Sequence, residues 1–581
     1  MDVRARWPVP LLRSAAWCVA TAGVVAALWM LCARARIAPV IIADNATIFL
    51  AADRLYDGLG PTVPQPKLPA DAWVWQRDWT LMTRWPMGFP LILCAARMLL
   101  GVGSAQAAIG VSIVCCGVAL VGWFALIRRC LPNRLPATVI ALLAAGSTLT
   151  VTNLVRPSAD TVLLAAMPLV LLSAWWALAW GKGTEHVESE GRRGLESAAR
   201  GRVDVWWARL VLFGLLAGAL VWIRYAALFV PLGIGAFLAI EWFWCRRVRF
   251  VQVVVFGLAA AVPVLALVGV NRVFGDDLPM QQRYPVGDRL SLEVDADMFA
   301  TAWRMFTQQT FYNHRPESVW FFAAVVPLGG LVLPFAFRGS RRLMAGFVSS
   351  PPVRLCAVTA AACLVMLLGM SAVFRERFHY AGLDRYYLPI RPFYYLFFLG
   401  GIASFRLRTV RVLACVPLLL ACSWVVQQDW ARAYGRELAR QDEVTPYGRR
   451  AVYFEPHSAV LYEWLKAQRG DDLLVLSNFH DEIALETRIP ACPTPRDRAE
   501  LETWIARVKQ ARNVDDVRVL FVLDPDNHGR RYFLPPPSEL VESFNLAPLP
   551  SVPERIAGYV FAYAQPRQFV RTQGPVARSE P

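Results

Sequence analysis

The side chains best placed to do chemistry in this sequence are charged groups stranded at the ends of long apolar runs. Asp44 follows the first such run and opens DNATIFLAADRLYDGLGPT. A carboxylate there is either a reactive group or a helix cap. Asn45 and Thr47 follow it, ahead of the helical pattern Ile48, Phe49, Ala52, and caps favour Asp and Asn. Arg224 with Tyr225 in IRYAAL, and Arg385 with Tyr386 in DRYYLP, stand at the borders of later runs. The forked donors of arginine suit an anion, whereas the bland alternative is a snorkelling interface anchor beside tyrosine. Arg156 and Asp160 flank a tight turn and are also open to pairing with one another. Asp53 lies nine residues beyond Asp44 and is expected to share its face only if one helix runs unbroken through both. Asp57 precedes Gly58 and reads as turn chemistry.

The elements that must position these groups are membrane helices. The chain has 581 residues, 56% of them hydrophobic, with 22 Trp and a mean hydropathy of +0.39, which excludes both a disordered chain and an ordinary soluble one. Its formal charge of +16 comes from arginines clustered in short loops between apolar runs, where they set orientation. No nucleic-acid partner is expected. Of 12 Cys, nearly all lie within or beside apolar runs and only Cys492 sits in the polar C-terminal part, so neither a disulfide framework nor a zinc-like spacing emerges.

Spans are expected at 14–33, 108–127, 137–153, 161–180, 209–222, 226–243, 251–271, 319–337, 355–373, 387–404 and 410–426. That makes an α-helical polytopic membrane protein of about eleven spans, each near the length a bilayer requires. The first also has the grammar of a signal peptide, with CARA at its end, and is expected to stay uncleaved because many spans follow. Residues 86–101, PMGFPLILCAARMLLG, are too short and carry Arg97, so they are expected to form an interfacial helix within a first outer loop of 34–107. With a cytoplasmic N-terminus, Arg128/Arg129/Arg134, the 192–209 loop, Arg246/Arg247/Arg249, Arg338/Arg341/Arg342 and Arg406/Arg408/Arg411 all fall on one side. Arg34 and Arg36 break the rule, but they border a long loop, where it is weak. Asp44, Arg156, Asp160, Arg224, Arg385 and the whole C-terminus then share the opposite, extracytoplasmic side.

Residues 1–426 form the membrane domain on this reading, and 427–581 a small extracytoplasmic α/β domain. Helices are expected at 458–468 and 498–511, and buried strands at 471–478, 517–523 and 556–563. Strands alternating with helices point to a layered α/β arrangement.

The Asp of the first outer loop, WPMGFPLILCAARMLLG, PSADTVLLAAMPLVLLS, WIRYAALFVP and DRYYLPIRPFYYLFF occur in that order. Together they resemble the GT-C superfamily of polyprenyl-phosphate-sugar glycosyltransferases, in the branch of protein O-mannosyltransferases and the aminoarabinose transferase of lipid A. The resemblance covers residues 17–426, and its specificity lies in the order of short motifs. It implies a multi-pass enzyme of the cell inner (plasma) membrane that moves a sugar from a polyprenyl-phosphate donor to a lipid, glycan or protein hydroxyl outside the cytoplasm. Asp44 maps onto the acidic catalytic residue of the first outer loop, and one positioned carboxylate suffices as general base for an inverting transfer. The departing lipid phosphate requires a cation, for which Arg224 and Arg385 are the candidates, with Tyr225, Tyr386, Arg156 and Asp160 as further substrate contacts. No cofactor is implied, and without a DxD-like cluster no divalent metal is expected. Many relatives carry two adjacent acids in this loop; here Asn45 stands beside Asp44. A transporter or flippase of lipid-linked sugars is the alternative, and it would call for charges near the bilayer midplane.

Overall fold

The structure is a computed structural model that describes residues 40–41, 43–64, 79–83, 85–131, 157–180, 196–275, 338–373, 391–405, 409, 444–445, 448–450, 458–495, 497–523, 537–549 and 551–563. The chain divides into two units. One comprises Met1–Pro39, Thr83–Val273 and Asp277–Asp442; the other comprises Val40–Met82, Phe274–Asp276 and Glu443–Pro581.

In the first unit, Ser104–Cys130, Ala159–Trp176, Tyr225–Phe243, Phe250–Phe274 and Pro351–Gly369 are long and apolar enough to cross a membrane. Five of the expected spans therefore fold as helices close to their apolar limits. The run expected at 209–222 is the apolar end of a longer helix, Glu196–Ile223, so part of the 192–209 loop is helical instead. The run at 387–404 contains the helix Arg391–Ala403. The expected spans at 14–33, 137–153, 319–337 and 410–426 lie outside the described residues. Gly88–Leu100 is a short apolar helix of 13 residues, buried at Gly88, Phe89, Pro90, Leu93 and Cys94 and exposed at Met98, Leu99 and Leu100. A short helix not expected from the sequence, Arg338–Ser349, buries Ser340, Met344 and Phe347 at helical spacing and exposes Arg341 and Arg342.

Small residues set the helix separations. An added Cβ at Gly214 would lie 2.7 Å from Ala259 Cβ, and one at Gly218 only 2.1 Å from the Ala260 carbonyl oxygen. This pair, four residues apart, lets Glu196–Ile223 press its backbone onto Phe250–Gly275, which is how membrane helices gain contact where lipid removes the hydrophobic drive. Phe213 stacks on Phe256 beside that seam. The other side of Phe250–Gly275 exposes Val251, Val254, Leu258, Val262 and Leu265, an apolar stripe of the kind that suits lipid. Trp123 is fully buried, donates Nε1–H to the Leu164 carbonyl at 3.1 Å and meets Phe393 edge-on at 5.2 Å, tying three helices together. Arg354 Nε donates to Glu241 at 3.0 Å, which holds the helix Pro351–Val373 to Phe229–Phe243. Burial makes this pair strongly dependent on both partners.

The second unit contains a five-stranded sheet in the order Ala491–Cys492, Leu473–Ser477, Arg518–Val522, Val560–Tyr563, Leu546–Pro548. The first three strands are parallel, and Val560–Tyr563 pairs antiparallel with the strands on both its sides. The run LLVLS is buried at every position, as a strand covered on both faces must be. Leu474, Leu476 and Phe521 pack with Leu501, Trp504 and Ile505 of the helix Arg498–Arg512. Asp497 caps that helix by accepting from the Glu500 N–H at 2.8 Å. The strands and helices expected for the C-terminal region are present, and His480–Thr487 and Pro537–Ser543 add two helices.

The same unit contains residues of the segment expected to form the first outer loop. Val40–Ile41 pairs in parallel with Gly448–Arg450, which pairs antiparallel with Val444–Thr445. The helix Ala43–Tyr56 packs on His480–Thr487, and Thr62–Pro64 forms a two-stranded ribbon with Trp79–Leu81.

Candidate functional site

Two clusters bear on chemistry, one in each unit. In the membrane unit the helix Glu196–Ile223 stops where Arg224 turns extended, at φ −156° and ψ 129°. Its N–H still reaches the Leu220 carbonyl at 3.1 Å, its carbonyl accepts from Ala227 N–H at 2.9 Å, and one 3-10 turn, Tyr225–Leu228, follows before the next helix. The break releases Arg224 from helical geometry. Its Nε meets Asp160 Oδ1 at 2.7 Å, with side chains 6% and 1% exposed. Asp160 sits in the first turn of Ala159–Trp180, where the helix dipole favours a carboxylate, and its Oδ2 accepts from Ser158 Oγ at 3.3 Å. The guanidinium lies 5.8 Å from the Trp85 ring.

Tyr225, next in the chain, points its hydroxyl into a second polar chain. It donates to the Thr83 carbonyl at 2.8 Å and accepts from Asn271 Nδ2 at 3.0 Å. Three distant pieces of sequence meet here: the entry to the short helix, the helix break, and the end of Phe250–Gly275. Gly88 makes the approach physically allowed, because a Cβ on it would lie 2.4 Å from the Trp222 carbonyl oxygen. The WPMGFP motif therefore carries a packing requirement as well as a turn.

The partner open to Asp160 on sequence grounds was Arg156; among the described residues it is Arg224 that meets Asp160. Arg156, Arg385 and Tyr386 lie outside the described residues. Asn271, Ser158 and Trp85 were not legible as members of the cluster. A lone Asn near the end of an apolar run was the available signal, since a buried amide in a membrane segment must find partners. Taken by itself, the Asp160–Arg224 pair carries no net charge.

In the other unit, Asp44 lies in the first turn of Ala43–Tyr56, and the helix is continuous through Asp53. Nine residues along an unbroken helix is half a turn beyond two full ones, so positions 44 and 53 fall on opposite sides. The expectation that an unbroken helix would give them a common face is corrected by that arithmetic. Asp53 instead pairs with Arg488 Nη2 at 2.6 Å, the carboxylate 2% and the guanidinium 31% exposed. Arg54, beside it, donates Nε–H to Thr62 Oγ1 at 2.7 Å and lies 3.6 Å over the Trp79 ring. Desolvation, and then the nearby Arg488 charge, push the Arg54 guanidinium down to about 10, against the opposing pull of Asp57. Asp57 itself lies in the turn that ends the helix, ahead of Gly58 at φ 76°.

No family model and no curated protein matches this sequence. Among solved structures the chain is similar to ArnT from Cupriavidus metallidurans bound to undecaprenyl phosphate, with a TM-score of 0.53 at 13% identity over 95% of this chain and 98% of that one. It is also similar to the apo state of ArnT from the same organism, with a TM-score of 0.51 at 13% identity over the same shares. The oligosaccharyltransferase of Archaeoglobus fulgidus, in complex with Zn and sulfate, gives a TM-score of 0.42 at 12% identity over 82% of this chain and 63% of that one. The likeness to ArnT across nearly the whole of both chains shows that this chain has the GT-C fold, the fold that the order of its motifs implied.

Proposed function

We propose that this chain is an integral membrane glycosyltransferase that takes a sugar from a polyprenyl-phosphate carrier and delivers it, with inversion, to a lipid, glycan or protein hydroxyl on the extracytoplasmic side. The observation that carries the reading is the full-length likeness to ArnT, a protein solved with undecaprenyl phosphate bound. Asp44 serves as the general base. It takes the acceptor proton as the hydroxyl oxygen attacks the anomeric carbon; the carbon–oxygen bond to phosphate breaks on the opposite face, and polyprenyl phosphate leaves as an anion. A positioned base of this kind is worth roughly 10²–10⁴ in rate.

The leaving phosphate needs hydrogen-bond donors and positive charge. Arg224, its orientation fixed by Asp160, supplies donors, and Tyr225 holds the Thr83 segment beside it. Because the Arg224–Asp160 pair is neutral, Arg385 and Arg156 supply the net charge, with Tyr386 as a neighbouring contact. No divalent metal takes part in this scheme, so a chelator leaves the rate unchanged.

The test uses membranes containing the full chain, supplied with undecaprenyl phosphate carrying radiolabelled aminoarabinose, mannose or glucose, and follows label into the lipid and protein fractions. Asp44→Asn is expected to abolish incorporation at unaltered abundance. Undiminished product from that variant overturns the assignment of the base, and movement of label across the bilayer without covalent product would point to transport instead.

A further inference from the structure

The helix bearing Asp44 is held by the C-terminal domain at three places within one unit. Just ahead of it, Val40 and Ile41 pair in register with Arg449 and Arg450. Its body packs on His480–Thr487. Near its end, the carboxylate of Asp53 is clamped at 2.6 Å by Arg488. Arg488 adopts the left-handed conformation, φ 60°, as the cap of His480–Thr487, with its N–H on the Ala484 carbonyl. That conformation is uncommon for a side chain with a Cβ and persists only where the surroundings impose it. The backbone sets where the side chain starts, and the 2.6 Å contact with Asp53 is what directs its guanidinium. Asp53, on the opposite side of the helix from position 44, is where a grip sets rotation and height without obstructing the reactive face.

We propose that the C-terminal domain is the positioning frame of the reactive helix, and that Arg488 is a positioning residue that acts through Asp53 on Asp44. This rests on the reading of Asp44 as the general base. The pair joins residues 435 positions apart, so it closes the first outer loop onto the distal end of the chain. Loss of the clamp lets the helix shift, and displacement of about 1 Å at a reacting group costs up to about a hundredfold in rate.

The experiment compares full-length Arg488→Ala, Arg488→Lys and Asp53→Asn with the unmodified protein in nanodiscs, using the undecaprenyl-phosphate-sugar assay and hydrogen exchange. Arg488→Ala and Asp53→Asn are each expected to lower kcat at least about tenfold with KM for the donor unchanged, and Arg488→Lys to recover part of the loss. Amides of residues 45–53 should exchange faster, while Leu473–Ser477 and Arg518–Val522 stay protected. A disulfide between Val40→Cys and Arg449→Cys, added to Arg488→Ala, should restore turnover when oxidised and lose it again on reduction. The proposal is overturned if exchange at 45–53 is unaltered in both Arg488→Ala and Asp53→Asn, if the sheet loosens equally, or if only KM changes, as it would for an Arg488 that binds substrate. Full activity of Asp44→Asn would instead sink the underlying assignment, and the exchange data would still report on the clamp.

Discussion

Arg224 Nε and Asp160 Oδ1 form a 2.7 Å ion pair between the broken end of one membrane helix and the first turn of another. Both side chains are almost wholly buried, so each charge depends strongly on the other. Asp160→Ala alone is expected to cost about 3–5 kcal/mol, because it takes the paired carboxylate away from a guanidinium in a desolvated place. The double variant Asp160→Leu/Arg224→Met should recover most of that loss in detergent thermal unfolding, yet remain inactive in sugar transfer. Activity in the double variant would remove Arg224 from the substrate site.

The Tyr225 hydroxyl bridges the Thr83 carbonyl and Asn271 Nδ2. Tyr225→Phe leaves a buried acceptor and a buried donor short of a partner, at about 1–3 kcal/mol. Thermal unfolding should show the full deficit. Turnover per folded molecule should drop as well, since the Thr83 segment is then no longer tied beside Arg224; an unchanged turnover would make the bond purely structural.

Close backbone approach at two glycines sets another expectation. Cβ atoms on Gly88 and Gly218 would fall 2.4 and 2.1 Å from the carbonyl oxygens of Trp222 and Ala260. Neither oxygen can swing aside as a side chain would, so Gly88→Ala and Gly218→Ala should each destabilise by about 1–3 kcal/mol. Gly257 meets nothing within 4 Å. Its replacement by Ala in the same helix as Ala260 should be neutral or stabilising by up to about 1 kcal/mol, measured by the same unfolding assay.

The C-terminal domain has an acid-sensitive link. Hydrogen bonding from Arg518 holds the Asp472 carboxyl below its usual range, partly offset by desolvation and reinforced by the Arg518 charge. A carboxylate with a depressed folded pKa binds fewer protons in the native state, so its contribution is complete above the unfolded value of about 3.9 and fades as pH falls through the folded one. The pair is partly exposed, so the effect is small. Unfolding of Asp472→Asn should differ from the parent at neutral pH, with the difference closing below about pH 4; a gap that persists in acid would show that the carboxylate's charge is not its source.

Much of the membrane unit was legible because apolar length and arginine placement are local signals. Ala159–Trp180 and Phe250–Gly275 fold almost on the expected limits, since a bilayer demands about 20 apolar residues and helical backbone to satisfy its own hydrogen bonds. The helix expected to start at 209 starts at Glu196, because Arg200, Arg202 and Asp204 read as loop charges although a helix leaving the membrane tolerates them. Arg338–Ser349 escaped notice for the same reason.

By itself the sequence determined the class of protein, the approximate ends of its described spans, the α/β character of the C-terminal region and the set of charges at the helix borders. These follow from periodicity and composition over windows of some 20 residues. Only the tertiary structure decided who meets whom. It gave Asp160 to Arg224, put Asn271 on Tyr225, and joined Asp53 of the helix Ala43–Tyr56 to Arg488 of the C-terminal domain. Such pairings depend on where helices break and how closely glycines let backbones approach, and no pattern within a single stretch of chain encodes a partner hundreds of residues away.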